Sequence, residues 1–200
     1  MPNPIPRRRD AAVSREAILL SARKVFAQSG YEAADLSEIA AGAGVTATLI
    51  NRYFDSREQL FTEVLADCMV GPARVAPGTL SAHNLGRTLA TALVSLTETG
   101  DLPLEGLLIL LRSASSKRAA IIGRSQLEKG PQATLAAALE GQHHEERAAL
   151  IMALVSGFQV MRQTLEVSAL VKADPQVLID LLTPLFQHLV DGASTEALTP

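Results

Sequence analysis

Apolar residues recur at helical spacing along most of this chain. From Ser14 to Ser29, Ile18, Leu19, Ala22, Val25 and Phe26 fall three or four positions apart, and Gly30 follows as a stop, which predicts a first helix. Asp35 and Glu38 then form a capping-box pair ahead of Ile39 and Ala40, opening a short second helix that ends at the small residues 41–44. Thr46 stands where a hydroxyl can cap a third helix through Leu49, Ile50, Tyr53 and Phe54. Asp55-Ser56 offers the next cap, and Leu60, Phe61, Val64, Leu65 and Cys68 or Met69 mark a fourth helix that stops near Gly71-Pro72. Prolines and glycines between Gly71 and Gly78 break the periodicity, so the linker is expected there.

Beyond the linker the pattern predicts helices over about 82–98, 102–114, 117–139 with an interruption at Gly130-Pro131, 144–170 and 175–191, and no strand-like alternation competes with them. The last opens on Asp174-Pro175, an N-cap followed by a proline at the first helical position, and Pro184 inside it predicts a kink. Residues 148–161 are apolar nearly all round, which calls for burial on two sides, and Leu178, Ile179, Leu182, Leu185, Phe186 and Leu189 give the final helix a broad apolar face. Two such helices predict a homodimer through a four-helix interface; a buried core helix in a monomer is the alternative.

Composition agrees with an all-α fold: 48% of residues are apolar, 4% are aromatic, and there is no Trp to favour sheet. A single cysteine, Cys68, allows no internal disulfide, and there is neither an apolar signal core nor an uninterrupted apolar run of membrane-spanning length. The expectation is a cytoplasmic protein with no membrane partner and no cofactor. Net charge is −3, so bulk electrostatics alone do not point to nucleic acid. Residues 1–60 nevertheless hold 8 Lys and Arg against 7 Asp and Glu, with Arg7, Arg8 and Arg9 placed as an arm that can reach phosphates or remain a solvated tail.

Two short helices meeting at a tight Gly-containing turn over 35–54 have the spacing of a helix-turn-helix, whose second helix can enter the major groove. The stretch GYEAADLSEIAAGAGVTATLINRYF from Gly30 to Phe54, followed by DSREQL from Asp55 to Leu60, closely resembles the N-terminal signature of the tetracycline-repressor (TetR) family. That resemblance implies a three-helix DNA-binding domain over 12–72 and a helical effector-binding and dimerisation domain over 78–191. It implies a homodimer on a palindromic operator, most often a repressor released by a small molecule.

The residues themselves suggest roles. Thr46, Ala47 and Thr48 lie on the first turn of the recognition helix, where short side chains approach base edges or phosphates; Asn51 and Arg52 lie one turn on, with the chemistry to read adenine and guanine or pair with phosphate. Tyr53 fits either packing or a phosphate contact, and Phe54, Val45, Leu49 or Ile50 and Ile39 read as core. Three positions depart from the commonest family pattern: Ala34 where a hydroxyl residue often opens the second helix, Asn51 in place of a frequent tyrosine, and Arg57 in place of a frequent lysine. Charge is kept at Arg57, so phosphate anchoring is expected there, with an exposed helix-start cation as the alternative. Two half-sites on one face of the duplex require recognition helices about 34 to 36 Å apart, or a multiple of that spacing.

An effector cavity would be lined by residues such as Leu107, Leu108, Leu111, Met152, Phe158 and Met161, which suit a moderately apolar ligand and equally suit plain core. Gln159, Arg162 and Gln163 break the apolar run and offer polar contacts to a ligand or a partner. An enzyme is not expected. His143-His144 point about 100° apart on a helix rather than along one face, which does not make a zinc pair, and no phosphate-binding, dinucleotide or nucleophile motif occurs. The rival class is an all-helical dimeric interaction protein that has lost DNA binding.

Overall fold

A computed structural model describes residues 6–69, 84–99 and 104–192, with no strand among them. In chain order its helices are α1 (Pro6–Ala33), α2 (Leu36–Gly42), α3 (Ala47–Tyr53), α4 (Arg57–Met69), α5 (Leu85–Thr99), α6 (Glu105–Ser113), α7 (Lys117–Leu127), α8 (Ala133–Ala136), α9 (His144–Gln159), α10 (Ser168–Val171) and α11 (Pro175–Asp191), with π-helical turns at Glu128–Gln132 and Val160–Thr164. Packing sorts them into two compact units, 1–69 with 104–127 and 70–103 with 128–200.

The first unit is organised by α1. Ile18, Ala22, Val25 and Phe26 form its buried stripe, and Phe26 and Tyr31 both meet the ring of Phe61 on α4, edge to face, with centroids 5.0 and 4.9 Å apart. The helical backbone starts at Pro6 rather than near Ser14, because proline at the first helical position has its φ already set and lacks only an amide that would go unbonded there. Arg7, Arg8 and Arg9 therefore lie within α1 instead of forming an arm ahead of it; their side chains are outside the described residues. At its other end α1 breaks at Gly30, whose φ of 71° and ψ of −176° suit only glycine.

Helices α6 and α7 belong to this unit, although the contiguous division at 12–72 and 78–191 sets them apart from it. The reason is shared core: Ile109 and Ala119 are buried in the same apolar cluster as α1 and α4. The expected linker at 71–78 lies outside the described residues.

In the second unit, Leu85, Ala90, Leu93 and Val94 on α5 share a core with Leu178, Ile179, Phe186 and Val190 on α11 and with Ala148 and Ile151 on α9. The amide of Gly86 donates to the side-chain carbonyl of Gln187 at 2.9 Å, fixing where α5 and α11 meet. The interruption expected at Gly130-Pro131 is present as a kink, where Gly130 leaves helical geometry with a φ of −101° and a ψ of −105°. The single helix expected over 144–170 is instead α9, the second π-helical turn, a break at Glu166 with a φ of 48°, and α10. Helix α11 runs on through Pro184, and Asp174 caps it by accepting from the amide of Gln176 at 2.7 Å. No described helix is long and apolar enough to cross a membrane.

Candidate nucleic-acid interface

Local chemistry fixes the α2–α3 corner. Asp35 caps α2, its carboxylate accepting from the Ser37 amide at 2.8 Å, one position earlier than the expected capping box. The helix closes when the amides of Gly44 and Val45 donate to Ala41 and Ala40 at 3.1 and 3.0 Å, with Gly44 at a φ of 66°, a left-handed C-terminal stop that favours glycine. Ile39, Ile50 and Phe54 are the anchors, each at most 2% exposed, and burying such side chains stabilises the corner by about 1.5–3 kcal/mol apiece. Ile50 rather than Leu49 takes the core position of α3.

The opposite side of α3 is open. Thr46, Ala47, Thr48, Asn51 and Arg52 are all exposed, so five of the expected contact residues share one accessible surface. Thr46 precedes α3 in extended conformation, but its hydroxyl makes no capping bond and is left for another partner. Tyr53 is half-buried against the core, which suits both roles considered for it.

Arg57 behaves differently from its expected role as a phosphate anchor. Its Nη2 donates to the carbonyls of Tyr31, of Glu32 at 3.1 Å and of Ala34 at 2.9 Å, and its guanidinium lies 4.9 Å from the centre of the Tyr31 ring. The break at Gly30 explains this: it leaves carbonyls between α1 and α2 without helical partners, and a guanidinium is the donor that can serve several at once. Burial first, and then the nearby charge of Glu58, push the Tyr31 phenol above its ordinary pKa.

Three further side-chain contacts support this surface, one of them at the cap expected from Asp55-Ser56. Arg15 pairs with Glu63 and lies 5.1 Å from the centre of the Phe54 ring, tying α1 to the end of α3 and to α4. Ser56 accepts from the Gln59 amide at 3.1 Å while the Gln59 side chain accepts from the Asp55 amide at 2.8 Å, a reciprocal cap that starts α4. Arg118 on α7 donates two bonds of 2.6 and 2.5 Å to Glu58, and these hold the Glu58 carboxyl below its usual pKa.

The six residues expected to line an effector cavity are divided between the units. Leu107, Leu108 and Leu111 lie on α6, where the buried face is Gly106, Ile109 and Ser113, and Leu111 is exposed. In the second unit, Phe158 and Met161 line an open apolar groove with Leu150, Leu154, Leu182 and Leu189, while Met152 is half-buried and does not line it.

Residues 18–64 match the family model for bacterial regulatory proteins of the tetR family, and residues 83–190 match that for the tetracyclin repressor-like C-terminal domain. The HTH-type transcriptional repressor BepR of Brucella suis biovar 1 is 41% identical over 56 residues, a match spanning 28% of this chain and 27% of that repressor's length. A TetR-family member from Streptomyces coelicolor A3 superposes with a TM-score of 0.65 at 21% identity, covering 86% of this chain and 97% of that one. FadR from Bacillus subtilis, solved in complex with stearoyl-CoA, superposes with a TM-score of 0.63 at 19% identity, covering 90% and 99%. At these identities the structural likeness establishes the fold.

Proposed function

This chain belongs to the tetracycline-repressor family of bacterial regulatory proteins, and from that membership we propose that it is a homodimeric repressor that leaves a palindromic operator when a small, moderately apolar effector binds. The observation that carries the reading is the α2–α3 corner: an apolar underside locked into the core and an outer face of Thr46, Ala47, Thr48, Asn51 and Arg52 with no packing role. Short hydroxyl and methyl side chains at the start of α3 let the backbone approach the groove closely, and Asn51 and Arg52 supply base-reading donors. Tyr53 supports them from a half-buried position.

Dimerisation is supported by the second unit. Leu150 on α9, Met161 just after it, and Val177, Leu181 and Leu185 on α11 are all large apolar residues left exposed in the single chain, with the open groove among them. A solvated surface of that kind is unfavourable, and covering it with the same two helices of a second copy gives the four-helix arrangement expected from the sequence. An apolar effector is supported by FadR, a regulator of the same fold solved with an acyl-CoA. The protein's place is the cytoplasm, where the operator is, and its work is binding rather than catalysis.

Selection from a genomic fragment library with the purified full-length protein tests this function. Recovery of a palindromic site, bound with affinity that falls steeply with salt, is the expected outcome. Within that complex, Arg52→Ala should weaken binding by about 1–3 kcal/mol if Arg52 reads a base, or lower the salt slope by about one if it meets a phosphate. Recovery of nothing above background by a folded, ligand-free protein would rule the operator reading out.

A further inference from the structure

Among the described residues, the interior of the second unit holds four buried polar side chains, Thr97, Arg147, Gln159 and Arg162, two of them cations that form no ion pair with a described carboxylate. Both terminal nitrogens of Arg147 are taken up by the fold, and only its Nε lacks a described partner. Its Nη1 donates to Leu189 and Val190 at 3.2 and 2.9 Å and its Nη2 to Glu140, so it serves the carbonyl end of α11, where a positive charge is favoured.

Arg162 is not accounted for in that way. It is 6% exposed, and its only hydrogen bonds among the described residues leave from Nη1, to the Val94 carbonyl at 2.9 Å and the Thr97 hydroxyl at 3.0 Å. Thr97 in turn donates to Leu93 and Val94, so its oxygen faces the guanidinium as an acceptor. That leaves the Nε–H and both Nη2–H donors, the edge of the fork that matches a carboxylate, with no acceptor among the described residues and still open to solvent, where a ligand can reach them. One turn back, Gln159 is 7% exposed and its amide has no described partner. The surroundings are apolar: Leu93 and Val94 are buried in the core and the Phe158 ring centre lies 5.8 Å from the guanidinium. A largely buried cation with no counter-charge among the described residues is costly, and Arg162 lies within the π-helical turn Val160–Thr164 with Gln159 immediately before it, a distortion found often at functional positions.

We propose that Arg162 and Gln159 form the head-group site for an effector that carries a carboxylate on an apolar body. The site rests on the ligand-responsive reading above and gives its effector a chemical class. A carboxylate fits because its one negative charge balances one cation and its two oxygens meet Nε and Nη2 in parallel; a phosphate monoester would bring close to two charges against a single guanidinium in apolar surroundings. Gln159 supplies neutral amide donors beside the fork, and Phe158, which also lines the open apolar groove, offers apolar contact to the ligand's body.

The test is calorimetric titration of the full-length protein with butanoate, octanoate, dodecanoate and benzoate, each against its matching alcohol, followed by release of operator DNA by the same compounds. At least one acid should bind roughly tenfold or more tightly than its alcohol, and that preference should collapse in Arg162→Gln. If Arg162→Gln does not fold, Arg162→Lys keeps the charge without the fork and should retain part of the preference, while Gln159→Leu should weaken acid binding and leave alcohol binding in place. Acid and alcohol binding equally, a preference unchanged in the Arg162 variants, or no binding by any acid would each overturn the anion site. Neutral compounds that release DNA while acids show no advantage would overturn the site and leave the regulator standing. Acid binding through Arg162 in a protein that binds no operator would do the reverse.

Discussion

A β-carbon placed on Gly30 would lie 2.6 Å from the carbonyl oxygen of Arg112, so the break in α1 and the end of α6 touch backbone to backbone. Around that contact the Tyr31 amide donates to the Ser113 hydroxyl at 3.0 Å and the Arg112 guanidinium donates to the Ala27 carbonyl. Gly30→Ala therefore meets two obstacles, a backbone conformation reserved for glycine and a neighbour that cannot move aside as a side chain would. The expected loss is roughly 1–3 kcal/mol from the strained backbone alone, with overpacking in addition. Urea unfolding of the variant measures it; an unchanged midpoint would mean that α1 and α6 do not meet there.

Arg57 and Arg52 should separate cleanly in experiment, although both are arginines close to the recognition helix. The guanidinium of Arg57 serves the carbonyls of Tyr31, Glu32 and Ala34, so Arg57→Ala should lower stability by about 1.5–3 kcal/mol, the usual range for hydrogen bonds to a charged group. Arg57→Lys should recover little of this, because an ammonium cannot reproduce the fork. Arg52 is exposed, and Arg52→Ala should change operator affinity while leaving the unfolding midpoint nearly unmoved. Parallel denaturation and binding curves decide the matter; stability lost in the Arg52 variant and kept in the Arg57 variant would reverse the two roles.

This contrast also marks what is legible in the sequence. The helices around the corner are readable because their signals are local: Gly30 as a stop, Asp35 as a cap, small residues at the turn, and the spacing of Ile39, Ile50 and Phe54. The inward turn of Arg57 is not readable, since it depends on carbonyls 23 to 26 residues away that only the folded chain brings near. The packing of α6 with α1 is equally long-range, and its apolar residues look the same in any core. Nothing announces the break after Gln159 either: residues 160–167 contain no glycine or proline, and a non-glycine residue, Glu166, takes the left-handed conformation. The start of α1 at Pro6 is not readable either, because the run of arginines that follows it looks like a solvated tail.

The apolar face of α9 and α11 gives a prediction about assembly. Leu181 is 64% exposed in the single chain, the highest value among the large apolar residues described, and it lies on the same helix as Val177 and Leu185, which are also exposed. Leu181→Glu places a charge in the middle of that face without disturbing the core side of α11. Dimer affinity should fall about tenfold or more, with the monomer appearing in sedimentation velocity at concentrations where the unaltered protein stays paired, and operator affinity should fall with it. Sedimentation identical to that of the unaltered protein would place the dimer contact elsewhere.

Cys68 lies on α4 against α6, where a β-carbon built on Gly106 would stand 2.9 Å from its own. Burial, ahead of the opposing charge of Arg23 and the reinforcing charges of Asp67 and Glu105, pushes the thiol from 9.0 up to about 11. Two consequences follow from the thiolate being the reactive form. At neutral pH the folded thiol should be alkylated much more slowly than the same residue in urea. As pH rises past about 9 the unfolded thiol ionises while the folded one keeps its proton, so the unfolded state is favoured and stability declines until the folded thiol ionises near 11. Unfolding midpoints measured at about pH 8 and about pH 10 should differ more in the unaltered protein than in Cys68→Ala, which removes the titrating group with little change in volume. Equal pH dependence in the two proteins, or alkylation as fast when folded as in urea, would show that the thiol is open to solvent and that α4 and α6 do not close over it.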